Sequence, residues 1–439
     1  MDTCFGYTKD EFKKFRHYAW RFLLFFSFLY CAHYCTRLNL SGASALMMED
    51  LGFSKAQIGI LTSTLFWTYG IGHLINGRLG EIVGPSRFIA IGVVLSALCN
   101  VLMGFQSKLL PMAVLWGLNG YFQSMVWSPA IAALTLWWPG NTRGFATGFA
   151  NAFSGFGQAV ATLMVALSFL VLPGFGWRSA FFIPAILPVV MLVVYRALSK
   201  PSPTAIGLKE YVEADESKAA AEKEMQNIVR EKGKLYPYKY LLSNPKFLVW
   251  IFVVFSSGVA RYGLVTWIPL YFIERFNTDI TAGLLQSLAL PVGMGIGTFV
   301  VPWLTDRYCP KNRIIAAVIS GIAAAVSILV FMFLDPAEGW QLVLIEILLF
   351  TAGFFIYAIN GIVWTYSADI GGRVFAGTSA GILDWAAYMG AAIQAMVYGL
   401  ILDKGGWSIV FVSIAVFCLT IATVGHISYR KDRKKNEHI

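Results

Sequence analysis

Two arginines fall inside long apolar runs, Arg37 within about residues 22–45 and Arg261 within about 248–272. A charge near the middle of a bilayer costs about 2.5–3.5 kcal/mol on the most lenient insertion scale, so such a residue is read first as functional. A guanidinium stays charged and offers forked N–H donors that match phosphate or carboxylate oxygens two at a time. Two of them facing each other in a low-dielectric cavity repel when alone and are neutralised by a doubly charged anion. The chemistry this pair would perform is anion binding. Taken singly, either arginine could instead snorkel to a headgroup or pair with a carboxylate such as Asp384; the symmetric pair favours a shared anion.

Those side chains need helices in a membrane to hold them. The 439 residues are 57% hydrophobic, 15% aromatic and 13% charged, with a mean hydropathy of +0.64, whereas soluble domains carry about 25% charged residues. Stretches long enough to span, about 20 residues each, recur near 22–45, 57–80, 88–107, 110–137, 143–171 and 178–197. A second set follows near 247–273, 281–304, 313–334, 340–367, 374–402 and 407–429. The expected architecture is an all-α membrane protein with about twelve transmembrane helices in two pseudo-symmetric six-helix bundles. Its parts are a cytoplasmic segment (1–21), a first bundle (22–198), a linker (199–246), a second bundle (247–429) and a basic cytoplasmic tail (430–439). The linker is crowded with charges, among them Lys209, Glu210, Glu222, Lys223, Glu224 and Arg230, and is expected to be solvated with one charged helix near 214–232.

Lys and Arg set the orientation, because short loops rich in them stay cytoplasmic. They collect at Lys9, Lys13, Lys14 and Arg16, in the even-numbered loops at Arg78, Arg87, Arg143, Arg307, Lys311, Arg313 and Arg373, and in the tail. The opposite loops hold only Lys55, Lys108, Arg178, Arg275 and Lys404. Both termini are expected inside an inner (plasma) membrane, and the net charge of +10 is mostly a topology signal; no nucleic-acid module is visible. Residues 8–21 form a charged amphipathic stretch expected to lie on the inner membrane surface, and no cleavable signal is evident. The six cysteines show no metal-ligand spacing and read as small apolar residues.

The halves repeat each other. Arg143-Gly-Phe-Ala answers Arg373-Val-Phe-Ala, and Arg143 to Trp177 and Arg373 to Trp407 are both 34 residues apart. Arg37 to Glu81 spans 44 residues and Arg261 to Asp306 spans 45. Such a duplication argues for two similar bundles related by an axis along the membrane normal, with Arg37 and Arg261 near-equivalent.

Tyr30-Cys-Ala-His-Tyr34-Cys-Thr-Arg37, Phe122-Gln-Ser-Met-Val-Trp127-Ser-Pro129, Arg261-Tyr-Gly-Leu-Val-Thr-Trp267-Ile-Pro269 and Ala376-Gly-Thr-Ser-Ala-Gly381 with Tyr388 carry a resemblance. Together they resemble the major facilitator superfamily, and within it the organophosphate:phosphate antiporters, which include bacterial glycerol-3-phosphate and hexose-phosphate carriers. The resemblance covers both halves and implies that Arg37 and Arg261 grip a phosphoryl group while Tyr30, Tyr34, Tyr69, Trp127, Tyr357 and Tyr388 line the cavity. It further implies exchange of a phosphorylated metabolite for inorganic phosphate as the bundles rock about the site.

Departures fall at the same site. Where the glycerol-3-phosphate carriers have a second-helix lysine this chain has His73, and where they have a fifth-helix histidine it has Ser154. Asp384 is the repeat partner of Ser154, each standing eleven residues after its loop arginine. Three readings of Asp384 stand: an ion pair holding Arg261, a proton or amine contact in transport, or an exposed residue at a water-filled end. His33 and His73 could titrate near neutrality or hydrogen-bond between helices. Gln123, Asn151, Gln158 and Asn360 are pathway or interhelical candidates, and Glu346 is a proton site or a misplaced residue. Gly77-Arg78-Leu79-Gly80-Glu81 resembles the superfamily's signature loop and reads as a conformational latch.

No zinc signature, phosphate-cradling loop or nucleophile elbow is present, so neither enzyme nor cofactor is expected. The expected function is antiport of a small anionic substrate against inorganic phosphate across the lipid bilayer. Two alternatives remain: a proton-coupled importer of a carboxylate or phosphonate, and a membrane sensor of sugar phosphate. Proton dependence without phosphate exchange would mark the first; binding without flux would mark the second.

Overall fold

The computed structural model describes residues 6–138, 140–209, 227–228, 231–233, 236–308, 313–334 and 339–437, with only the backbone at 77–78, 81–82, 132, 135, 140–141, 143–144, 306, 364–377 and 431–437. Among the described residues every regular element is helical. Helix α1 (Lys9–His33) starts at a capping box, in which Thr8 and Glu11 satisfy each other's backbone N–H groups. It runs without a break through residue 21 into the first span, so residues 8–21 are continuous with that span and do not form a separate surface element. Their apolar stripe explains the difference: Phe15 and Ala19 are buried, and Phe15 lies 5.6 Å from Trp137. The chain after the first bundle completes the dock, with Lys14 Nζ donating to the Ile206 carbonyl and Arg21 Nε to the Leu198 carbonyl, both at 2.8 Å.

The first span breaks at Tyr34, whose N–H bonds Cys31 O at 3.2 Å while Arg37 N–H bonds Tyr34 O at 3.1 Å. These i→i−3 bonds tighten the turn, and α2 (Cys35–Leu51) continues beyond. The first bundle is completed by α3 (Lys55–Val83), α4 (Pro85–Gly104), α5 (Leu109–Trp137), α6 (Gly140–Val171) and α7 (Ser179–Leu198). After the short α8 (Tyr236–Leu242), the second bundle holds α9 (Pro245–Phe276), α10 (Ile280–Gln286), α11 (Ala289–Tyr308), α12 (Ile314–Phe331), α13 (Gly339–Leu402) and α14 (Trp407–Glu437). The expected linker helix near 214–232 lies largely outside the described residues.

Ten helical stretches among the described residues are long and apolar enough to cross a membrane. The other two expected spans are α1–α2, broken at Tyr34, and α5, whose apolar run is diluted by Asn119, Gln123 and Ser124. The 64 residues of α13 would extend about 96 Å as one straight helix. They contain two membrane-length parts, Gly339–Val363 and Thr378–Leu402. Tyr357 in the first packs at Arg261 and Tyr388 in the second at the adjoining Tyr262, so the chain reverses between them, as the two expected spans require.

The bundles meet closely where glycine allows it. A Cβ on Gly155 of α6 would collide with the backbone of Gly295 in α11. Two turns earlier on the same face of α6, Gly148 has open space around it. The same contrast recurs on α13, where Tyr388 reaches Tyr69 of the first bundle while Gly381, seven residues before it, faces nothing within 4 Å. Among the described residues, the interface therefore parts toward the end carrying Gly148 and Gly381 and is closed at Gly155 and toward the Lys55–Glu274 contact.

Candidate anion site between the bundles

Arg37 projects from the first turn of α2 and is only 3% exposed. Its Nε and Nη2 donate to Gln123 Oε1 at 3.2 and 3.1 Å, Nη2 also donates to the Tyr69 hydroxyl at 3.0 Å, and Nη1 reaches the Tyr388 hydroxyl at 3.4 Å. The rings of Tyr34 and Tyr69 lie 4.5 and 4.3 Å from the guanidinium carbon, in cation–π range.

A polar network fixes the acceptor. Gln123 Nε2 donates to Thr36 Oγ1 and Ser96 Oγ, each at 2.8 Å, and Ser96 in turn donates to Asn119 Oδ1 at 2.7 Å. Asn119 and Asn100 close it by donating to the Thr36 carbonyl at 2.8 and 3.0 Å. With its amide nitrogen committed, Gln123 can turn only Oε1 toward Arg37. Such a satisfied buried network holds a side chain in one geometry.

Arg261, 6% exposed, is held differently. It lies over the rings of Tyr262 and Tyr357 at 4.1 and 4.8 Å, and its Nε is buried with no hydrogen-bond partner. Among the described residues it forms no ion pair. Beside it is a cavity of about 10 Å³ lined also by Ser257, Asn360 and Val363, room for roughly one water. One arginine is thus anchored and nearly saturated, while the other has aromatic faces beneath it and donors to spare.

Tyr388 ties the two sides together. Its hydroxyl takes hydrogen bonds from Arg37 and, at 3.2 Å, from Tyr262, and its ring packs 4.3 Å from that of Tyr69. Ser154 hydrogen-bonds Tyr357 across the bundles. Tyr30 stacks on Trp127 at 4.8 Å and meets Tyr34 edge-on at 5.4 Å; Trp127 belongs to the wall behind Tyr30.

His73 of α3 sends Nδ1 to Ser128 Oγ at 2.7 Å, while its Nε2 faces Asp384 Oδ2 of α13 at 3.5 Å. Of the three readings for Asp384, an ion pair to Arg261 is not what forms; the nitrogen it faces is an imidazole of the other bundle. The field of both arginines nevertheless reaches its carboxylate. Thus all eleven sequence candidates lie in one connected region: Arg37, Arg261, Tyr30, Tyr34, Tyr69, His73, Trp127, Ser154, Tyr357, Asp384 and Tyr388.

Sequence reading did not single out Tyr262 or Ser128. Tyr262 could have been found because it adjoins Arg261, and Ser128 because it adjoins Trp127. Gln123 proves interhelical, and Asn360 lines the cavity beside Arg261. His33 is fully buried with neither ring nitrogen hydrogen-bonded, so the expected interhelical bond is not made. Glu346 is half-buried in the span Gly339–Val363, about 16 Å along the helix from Tyr357. The side chains of Arg78, Glu81, Arg143, Asp306 and Arg373 lie outside the described residues. Cys31, Cys35, Cys99 and Cys418 are free and buried, and no metal-holding cluster occurs among the described residues.

Comparison with known proteins adds lineage to this geometry. The model of the Major Facilitator Superfamily matches residues 26–393. A probable hexose phosphate transport protein of Chlamydia pneumoniae is 30% identical over 422 residues, 93% of this chain and 90% of that one. The glycerol-3-phosphate transporter of Bacillus subtilis is 27% identical, covering 93% and 92%. The membrane sensor protein UhpC of Escherichia coli is also 27% identical, covering 92% and 90%.

Proposed function

The chain belongs to the Major Facilitator Superfamily, and from that premise we propose that it exchanges a phosphorylated metabolite, a sugar phosphate or glycerol-3-phosphate, for inorganic phosphate by alternating access. The observation that carries this reading is the unequal arginine pair. Arg37 is fixed by Gln123, Tyr69 and Tyr388, and Arg261 keeps unpaired donors on the facing bundle. A phosphoryl group between them would accept from Arg261 and neutralise both charges, and charge-assisted bonds of this kind are about twice as strong as neutral ones.

Alternating access follows from the same charges. An empty site leaves two guanidiniums that repel, which opposes closure of the bundles over them. An anion removes the repulsion from whichever side it enters, so return of the empty carrier is slow and exchange dominates. The parting of the interface toward Gly148 and Gly381 supports an inward-open form, given that the Lys- and Arg-rich loops at that end mark the cytoplasm. Both termini are then cytoplasmic, and the membrane is the inner one.

Likeness to transporters of phosphorylated compounds supports the substrate class, and likeness to a membrane sensor supports binding without flux as a second reading. Proteoliposomes loaded with labelled inorganic phosphate separate them. Efflux that starts only when phosphate, glycerol-3-phosphate or a hexose phosphate is added outside is the expected result. Saturable binding with no efflux would replace the antiporter with the sensor; proton-driven uptake of another anion without phosphate movement would replace it with a symporter.

A further inference from the structure

The anion site contains a carboxylate, which an anion site should exclude unless its charge can be cancelled. Asp384 is 13% exposed and His73 only 1% exposed in their side chains. The 3.5 Å between Nε2 and Oδ2 is an ion-pair separation, and Nε2 has no hydrogen-bond partner. A buried ring nitrogen without a partner is costly, and this one is aimed at Asp384, the one carboxylate of the site among the described residues. On its other side Ser128 Oγ, 2.7 Å from Nδ1, fixes the ring and can donate to it or accept from it, so either tautomer is accommodated.

We propose that Ser128, His73 and Asp384 form a proton site that matches the charge of the cavity to that of the anion, one proton entering when a dianion binds. This rests on the anion-carrier reading above. Among the described residues, the charged and titratable groups facing the pair are Arg37 on α2, Tyr69 on α3, Arg261 on α9, and Tyr388 on α13 one turn from Asp384, with Tyr262 behind Tyr388. Tyrosines are uncharged near neutral pH, so the charge count rests on two arginines, one carboxylate and one imidazole.

Without the proton the count is two positive and one negative, which suits a monoanion. With one proton shared by His73 and Asp384 the pair is neutral, and the two arginines suit a dianion. Phosphate therefore enters with the same total number of protons whether it arrives as the monoanion or the dianion. Because His73 and Asp384 belong to different bundles, the rocking that parts the bundles also parts the pair, which places the proton under the control of the transport cycle.

The test is proton uptake on binding. Phosphate is titrated calorimetrically into purified full-length protein at pH 8, where the ligand is almost wholly dianionic, in two buffers of unlike ionisation enthalpy. The wild type is expected to take up about one proton per phosphate, with affinity falling toward tenfold per pH unit above neutrality. Asp384→Asn should bind phosphate with no uptake and a flat pH profile, and Asp384→Glu should restore uptake. Binding by the wild type without proton uptake, or undiminished uptake in Asp384→Asn, would overturn the proton site and leave the carrier reading intact. Failure of every protein to bind phosphate would overturn both. Fluorophosphate, a dianion throughout this pH range, separates a proton taken by the protein from one taken by phosphate and needs no variant: uptake on its binding to the wild type is expected, and its binding without uptake would overturn the proton site.

Discussion

Lys55 Nζ lies 2.9 Å from Glu274 Oε2, joining the two bundles at the end opposite Gly148 and Gly381. Glu274 also accepts from Trp407 Nε1 at 3.1 Å. Asp403 accepts from the backbone N–H groups of Lys55 and Ala56 at 2.7 and 3.1 Å, so a carboxylate of one bundle caps a helix of the other at its positive end. Lys55 and Glu274 are partly exposed, 18% and 32%, and an ion pair in that setting is worth about 0.2–1 kcal/mol. A few such contacts suffice to bias a transporter whose conformers differ by little.

Glu274→Gln combined with Asp403→Asn is expected to raise the population of the conformer open at the Lys55 end by roughly two- to fivefold, in line with losses of up to about 1 kcal/mol. Spin labels on the ends of α3 and α13 would read the distance distribution. An unchanged distribution would show that the apolar packing behind the polar contacts holds that end shut by itself.

Arg37→Lys and Arg261→Lys should each abolish phosphate exchange while membrane insertion and yield stay normal, because lysine keeps the charge and loses the fork. Labelled-phosphate exchange in proteoliposomes is the measurement. Normal exchange in both variants would remove the arginines from the binding site.

Gln123 gives a sharper test of Arg37. Gln123→Glu should fold, since it supplies a carboxylate to a buried guanidinium, yet weaken phosphate binding at least about tenfold by cancelling the charge the anion needs. Gln123→Leu should lower thermal stability by about 1–3 kcal/mol through the unsatisfied groups it leaves on Arg37, Thr36 and Ser96. Wild-type phosphate affinity in Gln123→Glu would mean that Arg37 does not act on the ligand.

Gly155 and Gly148 share a face of α6 but not an environment. Gly155→Ala is expected to cost about 1–3 kcal/mol by overpacking against Gly295, whereas Gly148→Ala should be neutral or slightly stabilising. Melting temperatures of the two variants in detergent check this, and equal values would contradict the parting of the interface between those levels.

Much of the molecule was legible from residues alone. Apolar runs of bilayer length specify helices, because a backbone in hydrocarbon must satisfy its own hydrogen bonds. The matched spacings around Arg143 and Arg373 exposed the duplication, and a charge at membrane depth exposed Arg37 and Arg261. Each of these signals lives within one helix or in the separation of two points along the chain.

Tertiary structure decided the partners. Offset counting put Asp384 on the site but left its partner open among three readings, because the sequence says which helix a residue occupies and not its rotation or height against a helix of the other bundle. Packing of α3 against α13 brought His73 to Asp384. The network through Thr36, Ser96 and Asn119 turned Gln123 into the acceptor for Arg37, and the dock of Phe15 on Trp137 kept residues 8–21 helical and against the protein. Sequence by itself determined the helices, their repeat and the charges they carry, since those follow from local hydrophobicity and chain spacing. Which charge meets which partner, and which end of the interface is shut, depended on how two rigid bundles lean on each other, a relation between residues hundreds of positions apart.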